Sequence, residues 1–334
     1  MAPEGSKARM DALRVLASRH GMLIGAAVNM NALGDDLAYR ETLAREFSSL
    51  TAENAIKWKP LQPERGTFDF AEADALVDFA KANDAAMRGH VLVWHEALPE
   101  WVTEGRLTRR EWRNVLQEHI QTVASHFRGR VAVWDVVNEA LDGTGAFRES
   151  LWLERLGPDY LDDAFRWAHE ADPDARLFYN DYDAEGGSDK AMASRALLSD
   201  LLSRGVPVHG VGLQMHLHVD APPKPDDVAE TMARLADLGL EVHVTELDVA
   251  IEGAVTAEKL DAQADVYARM LEVCLAAPNC TSFTMWGFTD RYSWIPHHFE
   301  GRGSGLIFDE AYQPKPAYRA LCGVLRGHAG GRSS

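Results

Sequence analysis

An α/β fold closed as a (β/α)8 TIM barrel is predicted by three features of the 334-residue sequence. Eight short apolar or β-branched runs alternate with longer amphipathic ones, the order that builds a parallel sheet with helices outside it. Polar residues gather where those runs end, and in a barrel the C-terminal strand ends form the functional face. Two of these residues are glutamates, Glu139 in WDVVNEA (134–140) and Glu246 in VHVTELDV (242–249), each closing an apolar, β-branched run. A strand covered on both faces has no packing use for a glutamate. A doubly wound sheet is the competing closure, but it has five or six strands and a glycine-rich phosphate turn, and no such turn is present here.

Strands are expected near 22–28, 48–53, 86–93, 131–138, 176–181, 209–215, 240–247 and 281–288. Helical patterns fill the intervals, among them 71–83, 109–127, 189–204 and 258–276, several opened by a Thr, Ser or Asp that can cap the first N–H groups. The second strand runs into Glu53, Asn54 and Lys57. The third carries His90 and ends at Trp94 and His95; the fourth ends at Asn138 and Glu139. Asn180, Asp181 and Tyr182 close the fifth, and Gln214, His216 and His218 the sixth. The seventh delivers Glu246 and Asp248, the eighth Trp286. For any one of these a satisfied structural role is as good an account as a functional one, but seven strands converging on one bowl are hard to explain as packing. With no linker or internal repeat, residues 1–334 are expected to form a single catalytic domain with flexible ends at 1–8 and 327–334.

A 46% hydrophobic composition is enough for a large core. The net charge of −17, spread along the chain, argues against nucleic acid or an anionic membrane as partner and favours a neutral or small substrate. No run approaches the roughly 20 apolar residues of a membrane-spanning helix. The N-terminus lacks a continuous apolar segment, so the chain is expected to be either intracellular or a secreted protein whose signal has been removed. Cys274 and Cys280 enclose a short loop and read either as two buried thiols or as a bridge, which would point to an oxidising compartment. Cys322, in the apolar ALCGVL, reads as a buried thiol rather than a nucleophile.

The bowl has the chemistry of a sugar site. Indoles of Trp94, Trp286 and Trp294 can cover the apolar faces of pyranose rings while Asn, Gln, Lys and His bond the hydroxyls. Trp112, Trp152 and Trp167 lie in helical patterns and read as core. His216 and His218 point the same way from one strand and would suit a metal, but a barrel metallohydrolase wants more ligands than His90 and His95 add, so neither metal nor cofactor is expected. Paired carboxyls at a barrel mouth suggest work on a glycosidic bond. Retaining hydrolases hold them about 5 to 5.5 Å apart, where they cannot both ionise easily.

The segments TAENAIKWKPLQPERGTFDF (51–70), RGHVLVWHEALPEW (88–101), WDVVNEA, YNDYDAEG (179–186), VGLQMHLHV (211–219), VTELDV and MWGFTDRYSWIP (285–296) together resemble family 10 glycoside hydrolases, the barrel family dominated by endo-β-1,4-xylanases. The likeness runs from about Leu23 to Leu325. It implies hydrolysis of internal xylosidic bonds with retention, Glu139 as acid/base and Glu246 as nucleophile, and xylan and xylo-oligosaccharides as partners of a monomer. It further implies glycone-side contacts from Glu53, Asn54, Lys57, His90, Trp94, Asn138, Gln214, His216, Trp286 and Trp294, and an aglycone-side platform at Tyr182. The CLAAPNC segment resembles a disulfide loop of secreted members, which implies a Cys274–Cys280 bridge and secretion, with the cytoplasm as the alternative. The alternatives to the xylanase reading are another retaining β-glycosidase acting on short xylo-oligosaccharides, glucosides or aryl glycosides, a non-catalytic sugar-binding barrel, and, last, a metal-dependent hydrolase. Two positions depart from the family pattern: Ala97 stands where an amide is expected near the distal glycone sugar, and Asp183 where an Asn meets the aglycone side. Glu96 adds a further acid beside the third strand end.

Overall fold

Eight parallel strands close on themselves in the computed structural model, which describes residues 12–328. In chain order they are β1 (Leu23–Val28), β2 (Ser49–Ala52), β3 (Ala86–Val93), β4 (Val133–Asn138), β5 (Arg176–Asp181) and β6 (Gly210–Leu213), followed after a short β7 (His216–His218) by β8 (Glu241–Glu252) and β9 (Cys280–Met285). Each pairs in parallel with its neighbour, and β9 returns to β1 with Leu23 opposite Ser282, so the sheet has no free edge. Closure follows from the sequence: a strand such as β4, whose residues after Val133 are all buried, must be covered on both faces.

Helices cover the outside. Arg109–His126 begins with a capping box in which Thr108 and Glu111 satisfy each other's backbone N–H groups. Ser188 caps Asp189–Ser203 and Thr256 caps Ala257–Ala276, as their placement in the sequence predicts. Trp112, Trp134 and Trp152 are among the largest fully buried side chains, and Trp167 is buried with them.

Three strand expectations are corrected, the simplest being the eighth, expected over 281–288, which spans Cys280–Met285. The sixth strand does not run through 209–215: it stops at Leu213, Met215 takes a left-handed φ of 60°, and pairing resumes as β7. The seventh continues past 247 to Glu252 because β7 and a two-residue strand, β10 (Arg302–Gly303), extend its ladder. The last helix, Pro316–Gly327, reaches into the segment expected to be flexible, while the rest of that expectation, at 1–8 and 329–334, lies outside the described residues. Cys274 and Cys280 are bridged at a Cα separation of 5.3 Å, joining the end of the 257–276 helix to the start of β9. Cys322 is buried and outside the bridge. No described helix is long and apolar enough to cross a membrane.

Candidate active site

The C-terminal strand ends surround a cleft of about 730 Å³. All the expected catalytic and binding residues line it: Glu53, Asn54, Lys57, His90, Trp94, Asn138, Glu139, Tyr182, Gln214, His216, Glu246, Trp286 and Trp294. β2 brings Glu53, Asn54 and Lys57, where Lys57 Nζ donates to Asn54 Oδ1 at 3.0 Å and stands 5.0 Å from the centre of the Trp94 ring. Burial lowers the Lys57 ammonium pKa, with Glu246 and Glu53 opposing the shift. Ala97 and Asp183, the two departures, also line the cleft, both in the left-handed region with φ of 51° and 53°.

The two glutamates sit in different surroundings. Glu246, at 4% exposure, is buried. Its Oε1 accepts from Asn180 Nδ2 at 2.6 Å, and its Oε2 lies 3.1 Å from His216 Nε2. His216 Nδ1 is in turn 2.9 Å from Asp248 Oδ2, which also accepts from Trp294 Nε1 at 2.8 Å. Burial works against an imidazolium at His216, but the Asp248 and Glu246 carboxylates outweigh it and raise its pKa to about 10. Burial likewise pushes Glu246 upward, and His216 and His90 more than reverse that, holding its pKa below the ordinary carboxyl value. Both His216 nitrogens are therefore engaged, and among the described residues no group of three or more side chains gathers as a metal site.

Glu139 is half-buried and takes a φ of 57°, with its N–H donating to Asn180 O at 2.9 Å. Its Oε1 accepts from Asn138 Nδ2 and Gln214 Nε2, each at 3.0 Å. Asn138 Oδ1 accepts from Asn180 at 2.9 Å and from Gln214 at 3.1 Å. Asn180 thus links the two carboxyl environments, bonding Asn138 on one side and Glu246 on the other. Gly212 makes room for it, since a Cβ there would collide with the Asn180 side chain.

A second chain of polar groups runs down inside the barrel. His90 Nδ1 is 3.0 Å from Asp135 Oδ2, and Asp135 takes a two-point bond from Arg88, whose Nε donates at 2.9 Å. Arg88 Nη1 meets His243 Nδ1 at 2.9 Å, and His243 Nε2 reaches Glu241 Oε1 at 3.1 Å. An arginine can only donate, so His243 Nδ1 is the acceptor and its proton is on Nε2. The site residues that strand-end reasoning misses are Arg88, Asp135, Arg148 and Lys190. A charged residue in mid-strand, such as Asp135 inside WDVVNEA, is the signal that could have found two of them.

Residues 12–324 match glycosyl hydrolase family 10. The chain belongs to that family. It is 44% identical to endo-1,4-beta-xylanase B of Thermotoga neapolitana over 312 residues, which cover 92% of this chain and 90% of that one. Xylanase 10B of Thermotoga petrophila, solved with xylobiose, superposes with a TM-score of 0.92 at 44% identity, over 94% of this chain and 97% of that one. An intracellular xylanase of Thermoanaerobacterium saccharolyticum superposes with a TM-score of 0.86 at 38% identity, over 92% of this chain and 97% of that one. The chain is thus a glycoside hydrolase of the family that those xylanases populate.

Proposed function

We propose that this chain is an endo-β-1,4-xylanase acting on xylan and xylo-oligosaccharides with retention, through Glu139 as acid/base and Glu246 as nucleophile. The observation that carries the assignment is the asymmetry of the two carboxyls. A nucleophile must be ionised when the sugar arrives, and Glu246 is buried against an imidazolium and an amide donor. An acid/base must exchange a proton with solvent in each cycle, and Glu139 is the less buried of the two.

In the first step Glu139 gives its proton to the glycosidic oxygen while a Glu246 oxygen bonds the anomeric carbon, and the C–O bond to the leaving sugar breaks. In the second, the Glu139 carboxylate takes a proton from water, the hydroxyl bonds the anomeric carbon from the face that the leaving sugar occupied, and the ester to Glu246 breaks. Water is the only co-reactant. Asn138, oriented by Asn180 and Gln214, is placed to bond the sugar 2-hydroxyl, a contact that strengthens in the transition state. Trp94, Trp286 and Trp294 cover the glycone sugars, Glu53, Asn54, Lys57 and His90 bond their hydroxyls, and Tyr182 carries the aglycone. The chain acts as a monomeric single domain. The Cys274–Cys280 bridge supports secretion, with the cytoplasm as the alternative.

The test is a time course of products from xylan, xylohexaose and cello-oligosaccharides, with the first anomer read by proton NMR. Internal cleavage of xylohexaose with the β-anomer appearing first is expected. Faster turnover of cello-oligosaccharides would overturn the substrate assignment, and a first-formed α-anomer would overturn retention.

A further inference from the structure

We propose that Arg148 is a positioning residue that ties the leaving-group platform Tyr182 to the backbone of Glu139, so that a sugar seated on Tyr182 sets where the proton is delivered. This rests on the reading of Glu139 as proton donor. Arg148 stands in the loop after β4, half-buried. Its Nε donates to the carbonyl oxygen of Glu139 at 2.9 Å, and its Nη2 donates to Leu141 O at 3.0 Å and to the Tyr182 hydroxyl at 2.7 Å. Its own N–H donates to Ala140 O at 2.8 Å.

The residue whose carbonyl it grips is the one with φ of 57°, a conformation that a glutamate keeps only when its surroundings hold it there. Tyr182 is held at two further points. Its N–H donates to Asp181 Oδ1 at 2.9 Å, and Lys190 Nζ lies 3.2 Å from the ring centre. Lys190 is itself buried and paired with Asp181 at 2.7 Å, so one ring face is backed by a fixed cation while the ring still lines the cleft. The loop is also seated on the helix that carries Lys190, where a Cβ at Gly145 would meet that of Ala193 at 2.8 Å.

Lys57, Trp94 and Trp286 follow the ends of β2, β3 and β9 respectively, whereas Arg148 and Tyr182 follow β4 and β5. Glu139 stands between the two sets, so a sugar on Tyr182 is the one departing. The carboxyl of Glu139 hangs from Asn138 and Gln214, but its main chain is fixed by Asn180 and Arg148 alone among these groups. A shift of the main chain by about 1 Å would take the proton off line with the leaving oxygen, which can cost on the order of 100-fold in rate.

The test compares kcat/KM for xylohexaose, whose leaving sugar needs a proton, with 2,4-dinitrophenyl β-xylobioside, whose phenolate does not. Arg148→Met should lose on the order of 100-fold on xylohexaose and less than about threefold on the dinitrophenyl substrate. Arg148→Lys should recover part of the loss, and Tyr182→Phe, which removes only the hydroxyl, should show a smaller loss with the same dependence on the leaving group. Equal losses on both substrates, or undiminished xylohexaose cleavage in Arg148→Met, would overturn the proposal, and so would a Tyr182→Phe loss blind to the leaving group. Glu139→Ala assayed on the same pair keeps the two claims apart: if its loss were also blind to the leaving group, the assignment of the donor would be at fault rather than the tie to Arg148.

Discussion

Removing His216 should move the acidic limb of the rate profile upward. As the proposed nucleophile Glu246 acts only as a carboxylate, and burial alone would raise its pKa; the imidazolium of His216, bonded at 3.1 Å, is the first of the groups that bring it below the ordinary value. Because His216 itself titrates near 10, that support persists throughout the acidic and neutral range. A hydrogen bond to a charged group contributes about 1.5 to 3 kcal/mol. At about 1.4 kcal/mol per pH unit, His216→Ala should raise the Glu246 pKa by roughly one to two units. The assay is kcat/KM for 2,4-dinitrophenyl β-xylobioside between about pH 3 and 8, because this leaving group needs no acid and the profile then reports the nucleophile alone. The sign is fixed: the variant must lose activity at a higher pH than the parent as the solution is acidified. A limb that stayed in place, with only the plateau lowered, would refute the claim that His216 keeps Glu246 ionised.

Arg88→Met should destabilise the fold by about 3 to 5 kcal/mol at neutral pH in urea unfolding, because it leaves the buried Asp135 carboxylate without its two-point partner. Burial pushes Asp135 up and Arg88 and His90 more than offset it, so this carboxylate's contribution is present above its unfolded pKa of about 3.9 and fades as pH falls through its lower folded value; the penalty of the variant should shrink in the same window. The intact mass of unreduced protein should be lower than that of reduced protein by the mass of two hydrogens, and Cys274→Ser should cost about 2 kcal/mol or less on the chain-entropy account of so short a loop. Both thiols alkylating freely in native protein would remove the argument for secretion. Ala97→Gln should lower KM for xylo-oligosaccharides by the equivalent of one hydrogen bond, about 0.5 to 1.5 kcal/mol, with little change in kcat; identical kinetics would mean that another group already fills the place.

The barrel was legible because period and punctuation agree: β3 and β5 begin and end where the apolar runs do, and the helices at 71–82, 109–126, 189–203 and 257–276 fall within a residue of their patterns. The end of the sixth strand is not legible in the sequence because GLQMHLH looks continuous, whereas Met215 turns left-handed and re-aims Gln214 and His216 toward the two glutamates. The strand-end residues that line the cleft are marked by position alone. Arg148 is not, since nothing in the string GAFRES says that the guanidinium folds back nine residues onto the carbonyl of Glu139. Lys190 escapes for a similar reason: a buried cation on a helix shows itself only when its carboxylate partner, here Asp181, is known in space. Asp181 makes the point from the other side, since burial raises its pKa to about 6 while Lys190 pulls it down, a balance that no local sequence records.

The central claim is the division of labour between the two glutamates, and azide tests it most directly. With Glu139→Ala and an aryl β-xylobioside bearing an acidic phenol, glycosyl-enzyme formation should survive and its hydrolysis should stall, because no base remains to deprotonate water. Azide needs no deprotonation, so adding it should speed turnover and yield a β-glycosyl azide, while Glu246→Ala without azide should stay inactive on every substrate, aryl or natural. A Glu139→Ala enzyme indifferent to azide, beside a Glu246→Ala enzyme that still releases the phenol, would contradict the account and exchange the two roles.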